Sequence, residues 1–348
     1  MQALVLTSYS HLEIQDLPLP EPGPGEVRVD IRAVGICGSD VHGYDGSSGR
    51  RVPPLVMGHE ASGVIAALGA GVNGWEVGDR VTFDSTVYRL DDWYSRRGQY
   101  NLSDGREVLG VATGEFSRHG CFAESVVVPQ HILYHVPDEV AFEHAALVEP
   151  YGVAMHAVRL ADPEPGRTAA VVGCGTIGLC IIQVLAAAGA RHILAVDLDA
   201  GRRDLALAMG ATHAHDPRSG GDAAAVELLA SLTEGRGADY AFEAVGTGVP
   251  LNTAIACARR GGTVVLVGNL AAEATIPMQR IVTQQIRLQG SCAIAGEFDQ
   301  VLALLAAGRL RPDLLVSRTA SLSEGPEWFK RLYDAEPGLL KVILRPGR

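Results

Sequence analysis

Apolar positions in the first part of the chain come in short runs, each cut off by glycine, proline or a charged pair. Residues 26–33, 61–68, 80–83 and 123–128 are such runs, with turn sequences such as Glu21-Pro-Gly-Pro-Gly25 and Gly78-Asp79 between them. Short β-type segments punctuated by turn residues predict strands in a compact, irregular β-barrel over roughly residues 1–150.

From about residue 152 the pattern changes. Apolar runs of strand length at 169–172, 192–196, 240–243, 263–267 and 287–290 alternate with Ala- and Leu-rich helical runs at 177–188, 202–209, 223–232 and 251–258. Strand and helix alternating at this spacing predict a doubly wound parallel sheet, wrapped by right-handed crossovers. The tail carries a helix at 298–307, a short one at 328–333 and a final strand at 341–344, too little for a core of its own. The expectation is therefore an α/β protein whose first domain comprises residues 1–151 and 291–348, with residues 152–290 forming the second. There is no internal repeat and no low-complexity segment.

Composition narrows the function classes. The 348 residues are 47% hydrophobic and 20% charged, which excludes a largely disordered chain. A net charge of −11 argues against a nucleic-acid surface. Six cysteines at 37, 121, 174, 180, 257 and 292 form no CxxC pair, which suits reduced thiols in a cytoplasmic protein better than a disulfide framework. The start, Met1-Gln-Ala-Leu-Val-Leu-Thr-Ser, lacks the basic segment of an export signal. Residues 168–190 contain no charge and are long enough to span a bilayer. Their glycines, however, divide them into a β-type run (169–172) and a helical run (177–188), so a buried strand and packed helix are expected, with no membrane partner.

Gly173-Cys-Gly-Thr-Ile-Gly178 falls between that strand and that helix. Gly173 allows a tight turn, Gly175 close approach of a pyrophosphate, and Gly178 close helix–strand packing, while the helix N-terminus offers free N–H groups to phosphate. Asp197, 19 residues after Gly178, stands where a carboxylate accepts hydrogen bonds from the adenosine ribose and repels a 2′-phosphate. NAD is favoured over NADP, with Arg202 and Arg203 nearby as the counter-argument. Thr176, Ile177, Arg202, Val245, Val267 and Gly268 complete the expected cofactor-binding set.

The other chemistry lies upstream. Cys37 opens Cys-Gly-Ser-Asp-Val-His42, and His59-Glu60 follows 22 residues later. Thiolate and imidazole are preferred zinc ligands. Alone, each could be an inert buried residue. Together, Gly35-Ile-Cys-Gly-Ser-Asp-Val-His42 and Met57-Gly-His-Glu-Ala-Ser-Gly63 resemble the zinc-dependent medium-chain alcohol and polyol dehydrogenases, in the branch of sorbitol and threonine dehydrogenases, over essentially the whole chain. The resemblance implies a GroES-like catalytic domain beside a Rossmann domain. It implies Cys37, His59 and Glu60 as zinc ligands, with Glu149 binding directly or through one water. It also implies Ser39 and His42 in a proton relay, with Glu149 as a competing route.

Members of that family often hold a second, structural zinc on four cysteines. The matching positions here are Arg89, Asp92, Ser95 and Ser103, so no closed tetrahedral site is expected and the lobe should be held by Trp93, Tyr94, Tyr100 and Arg–Asp pairs. The expected substrate pocket is lined by Gly43-Tyr44-Asp45, residues 116–122 and residues 291–294. Ala293 and Ile294 replace the arginine and tyrosine of sorbitol-type enzymes, which argues against sorbitol itself and leaves Glu297 or Asp45 as polar contacts. The reading is NAD-dependent oxidation of a secondary hydroxyl of a sugar alcohol or cyclitol. The alternatives are an amino-alcohol dehydrogenase or a non-catalytic NAD- or metal-binding relative. The resemblance also implies a homo-oligomer, a tetramer or a dimer, joined through residues 263–291 with Ile276, Ile281, Val282, Ile286 and Leu288 as its apolar surface.

Overall fold

A computed structural model describes residues 1–112 and 118–347. The chain divides into two compact units. The first comprises Met1–Glu149, Ile294–Gly308 and Leu315–Arg348, and the second Pro150–Ala293 and Arg309–Leu314.

In the first unit the long strand Glu26–Gly35 organises a seven-stranded sheet. It pairs antiparallel with Glu60–Leu68, with Ser125–Pro129, and through Gly35 and Val34 with the C-terminal strand Lys341–Arg345. Alternate positions of Glu26–Gly35 are buried, so Val27, Val29 and Ile31 face a core that includes Leu4, Leu6, Met57, Phe83, Phe122 and Phe329. The helix Gly38–Tyr44 begins directly after this strand, and Glu60 opens its neighbour opposite Gly35. Two ends of one antiparallel pair thus place residues 37 and 60 together. The hairpin Gln2–Ser8 and His11–Asp16, and the strand Val316–Ser321, also belong to this unit. His11–Asp16 and Val316–Ser321 alternate with polar residues, which hides them from a search for apolar runs.

The second unit is a six-stranded parallel sheet ordered His213–His215, His192–Val196, Thr168–Val172, Ala238–Glu243, Ala258–Leu266, Arg287–Gly290. This is the doubly wound arrangement expected. The uncharged run of residues 168–190 is a fully buried strand followed by the helix Thr176–Ala187. Among the described residues, no helix is long and apolar enough to cross a membrane. Ala258–Leu266 begins five residues before the expected start, across Arg259 to Gly262, because backbone pairing at Ala238–Ala258 draws a polar segment into the strand.

Candidate active site

The metal-type residues of the first unit meet. One donor atom each of Cys37, His59 and Glu60 lies within 4.8 Å of the others, and this is the one such trio among the described residues. His59 and Glu60 are buried. Room for Glu60 depends on Gly35, whose added Cβ would come within 2.2 Å of Glu60 Oε2. The Cys37 thiol is pushed up to about 12 by burial and then by the Glu60 charge, so without a cation it stays protonated. His59 Nδ1 is buried without a hydrogen-bond partner, with Asp40 Oδ1 3.6 Å away. A thiol, an imidazole and a carboxylate around an unsatisfied buried nitrogen fit a zinc ion, which stabilises the thiolate and orients the ring.

Glu149 stands outside that trio but close to it. It lies in the first turn of the helix Val148–Ala161, and its Oε1 accepts from Ser85 Oγ at 3.1 Å. Burial raises it to about 8, partly offset by His59. Ser39 and His42 are both exposed on the helix Gly38–Tyr44, three residues apart and hence on one face.

Three further residues complete the site, two of which, Lys341 and Arg51, no local motif announced. Lys341 is buried and donates from Nζ to both carboxylate oxygens of Glu60 and to Ile36 O. Asp40 and Arg51 are buried as a pair at 3.0 Å. Asp40 was within sight, since it sits in the Cys37–His42 motif. Lys341 lies 281 residues from Glu60, and only strand pairing brings them together.

Of the expected pocket segments, residues 113–117 lie outside the described residues, Phe116 among them. Tyr44 donates from its hydroxyl to Ser10 O and packs edge-on against Tyr333, which donates to Asp45 Oδ2. Glu297 is fully buried and accepts from Ala295 N at 2.6 Å. Ile294 is buried in the first unit, and Ala293, with φ +52°, ends the second.

The lobe has the expected contacts, with Trp93 edge-on to Tyr94 and Arg89 paired with Asp91 at 3.3 Å, and one more that was not expected. Three of the four cysteine-type positions converge on the Asp92 carboxylate, which accepts from Ser95 Oγ at 2.9 Å, from Ser103 Oγ, and from the backbone N–H of Tyr94 and Ser95; Arg89 N donates to Ser103 Oγ. Burial opposes its charge, but these donors hold the carboxyl down at about 2. Trp93 is exposed and carries Arg97 stacked over its ring, whereas Tyr100 is buried against Tyr88. Tyr100 also donates to the fully buried Asp84, whose carboxyl burial pushes up to about 7.

In the second unit the glycine turn has the form its sequence requires. Gly173 has φ +94°, and a Cβ there would sit 2.5 Å from Val245 Cγ2. A Cβ on Gly178 would strike Gly173 O at 1.8 Å, whereas Gly175 faces open space. Gly175 caps the helix Thr176–Ala187 with no side-chain cap, so the N–H groups around Thr176 and Ile177 are left for a ligand. Thr168–Val172 lies between His192–Val196 and Ala238–Glu243, and Gly173 and Val245 follow adjacent strands at the point where strand order reverses. Val267 and Gly268 both donate from their backbone N–H to Glu243 O, which holds the next loop beside them. Asp197 accepts from Cys174 N at 2.7 Å and from Asp199 N at 2.8 Å, at the end of its strand and against the turn. Arg203 donates to Asp197 O and Leu198 O and pairs with Asp216, whereas Arg202 is exposed. The open cradle at Gly175 and the carboxylate beside it fit a dinucleotide.

Comparison with known proteins agrees in both units. Residues 23–138 match the family described as alcohol dehydrogenase GroES-like domain, and residues 176–307 that described as zinc-binding dehydrogenase. The chain is 33% identical to a sorbitol dehydrogenase of Bacillus subtilis (strain 168), over 100% of this chain and 98% of that protein. It is 34% identical to an (R,R)-butanediol dehydrogenase of the same organism, with 100% of both chains covered. Among solved structures, a zinc-binding dehydrogenase from Sinorhizobium meliloti 1021 bound to NADP is similar with a TM-score of 0.88 and 31% identity, over 99% of each chain.

Proposed function

The chain belongs to the zinc-dependent medium-chain dehydrogenase family, in its polyol dehydrogenase branch, and we propose that it oxidises a secondary hydroxyl of a sugar alcohol or cyclitol to the ketone with NAD. The observation that carries this reading is the meeting of Cys37, His59 and Glu60 within 4.8 Å in a chain that also has the open cradle at Gly175. Zinc held there supplies a Lewis acid that makes a substrate hydroxyl acidic, and the nicotinamide supplies the hydride acceptor.

The residues of this chain do the rest. Cys37, His59 and Glu60 hold the metal, with Glu149 in reserve as a direct ligand or through water. Ser39 takes the hydroxyl proton and His42, exposed on the same helix face, passes it to solvent. Glu149, with its carboxyl raised to about 8, is the competing acceptor. In the second unit, Gly173, Gly175, Thr176, Ile177 and Gly178 receive the pyrophosphate; Asp197 receives the ribose; Val245, Val267 and Gly268 line the path toward the nicotinamide. Asp197, at the end of its strand against the glycine turn, supports NAD, because a carboxylate there accepts from the ribose and repels a 2′-phosphate.

The donors that converge on Asp92 in the lobe support one zinc per chain. Association of chains rests on the edge strand Arg287–Gly290, which has a neighbour on one side only among the described residues. The apolar surface first assigned to that role is smaller than expected. Ile276, Ile281, Ile286 and Leu288 pack against the unit's own core, and Val282 alone is exposed.

The deciding experiment is absorbance at 340 nm with NAD, zinc-replete protein and a panel of polyols, cyclitols and amino alcohols. Turnover confined to sugar alcohols or cyclitols supports the proposal. Turnover of threonine-like substrates would replace it, and NAD binding without turnover would point to a non-catalytic relative.

A further inference from the structure

Arg51 lies buried beneath the helix Gly38–Tyr44, its side chain 3% exposed. It fits only because residue 43 is glycine, where a Cβ would come within 2.2 Å of Arg51 Cγ. Burying a guanidinium is strongly unfavourable unless its donors reach charged partners. Those partners are specific. Nε and Nη2 donate to Asp40 Oδ1 at 3.3 Å and 3.0 Å, and Nη2 also donates to Ser39 Oγ at 3.2 Å.

Asp40 stands behind two members of the metal-type trio. The same Asp40 Oδ1 lies 3.6 Å from His59 Nδ1, the buried nitrogen without a hydrogen bond, and Asp40 Oδ2 accepts from Cys37 N at 3.4 Å. Ser39 accepts from Arg51, so its own hydrogen is free to turn elsewhere.

We propose that Arg51 is a positioning residue for the metal, a single cation that holds Asp40 in place behind His59 and against the Cys37 backbone. The proposal rests on the reading of Cys37, His59 and Glu60 as the zinc-binding trio. Groups behind a metal ligand set its orientation and basicity, and losing one typically weakens metal binding about 10- to 100-fold. Lysine would be a poor substitute, because a point charge cannot serve two acceptors as a planar fork does.

The test is zinc affinity by chelator competition, together with the absorption spectrum of the cobalt(II)-substituted protein. Both are measured on wild type, Arg51→Met and Arg51→Lys. The expected result is a loss of zinc affinity of about 10- to 100-fold in Arg51→Met, a shifted thiolate-to-cobalt band, and partial recovery in Arg51→Lys. Affinity within about twofold of wild type and an unchanged spectrum in Arg51→Met would overturn the proposal. A wild type that binds no zinc would overturn the metal reading itself. Where Arg51→Met does not fold, because Asp40 is left as an unpaired buried charge, Arg51→Gln with Asp40→Asn keeps the interior neutral. The same tenfold loss is expected there, and wild-type affinity would again refute the role.

Discussion

Lys341 Nζ lies 2.8 Å and 2.7 Å from the two carboxylate oxygens of Glu60, and both side chains are 1% exposed. A buried carboxylate next to a thiol and an imidazole would be costly on its own, and this ammonium compensates it. Removing one member of a buried pair costs about 3–5 kcal/mol, because the other is left uncompensated. Lys341→Met is therefore expected to lower thermal stability sharply in metal-free protein and less in zinc-loaded protein, where the metal takes over the compensation. Thermal unfolding with and without zinc measures this, and an equal loss in both forms would show that Glu60 does not face the metal.

Metal analysis of purified protein should find about one zinc per chain, the expectation for a lobe without thiolates. Cys37→Ser should remove most of the zinc and nearly all activity while leaving the fold in place. Two tightly held equivalents would contradict the role given to Asp92.

Asp92→Ala should open the lobe without unfolding the protein. Its carboxylate accepts from Ser95 Oγ, Ser103 Oγ and two backbone N–H groups, all of which lose their acceptor together. Limited proteolysis should then cut within residues 88–103 much faster than in wild type. An unchanged digestion pattern would assign the stability of the lobe to its aromatic contacts.

Asp197→Ala should weaken NAD binding and narrow its advantage over NADP. A hydrogen bond to a charged group is worth about 1.5–3 kcal/mol, so a loss of about tenfold or more in NAD affinity is expected. Titration with both cofactors decides it, and unchanged discrimination would remove Asp197 from the ribose site.

Asp84 predicts a pH dependence of stability. Its folded carboxyl lies at about 7, above the usual 3.8, because burial disfavours the charge. The native state then binds more protons than the unfolded state between these values, so Asp84 makes stability fall as pH rises from about 4 to about 7. A shift of that size corresponds to on the order of 4 kcal/mol at most. Asp84→Asn should flatten denaturant midpoints across this window, and a variant as steep as wild type would exclude Asp84 as the source.

Both chemical centres were legible as short segments, for different reasons. A glycine turn between strand and helix has its geometry set by the residues in it, so Gly173, Gly175 and Gly178 could be assigned roles from spacing alone. Cys37 and His59-Glu60 were legible through the resemblance of their motifs to the zinc-dependent dehydrogenases, since alone each could be an inert buried residue. The two-part α/β architecture followed from the change of period near residue 152.

What the tertiary structure alone decided is which buried charges answer one another. Antiparallel pairing of Lys341–Arg345 with Glu26–Gly35 brings an ammonium to Glu60 from the far end of the chain. Arg51 reads as an ordinary loop cation until Gly43 is seen to leave space for it, and Asp92 as a surface acid until Ser95 and Ser103 turn toward it. Residues 276–288 show the converse, since an apolar pattern cannot say whether it meets its own core or another chain. Periodicity determines which face of an element is buried, but the partner of a buried polar group depends on how distant elements pack, and hydropathy carries no record of that.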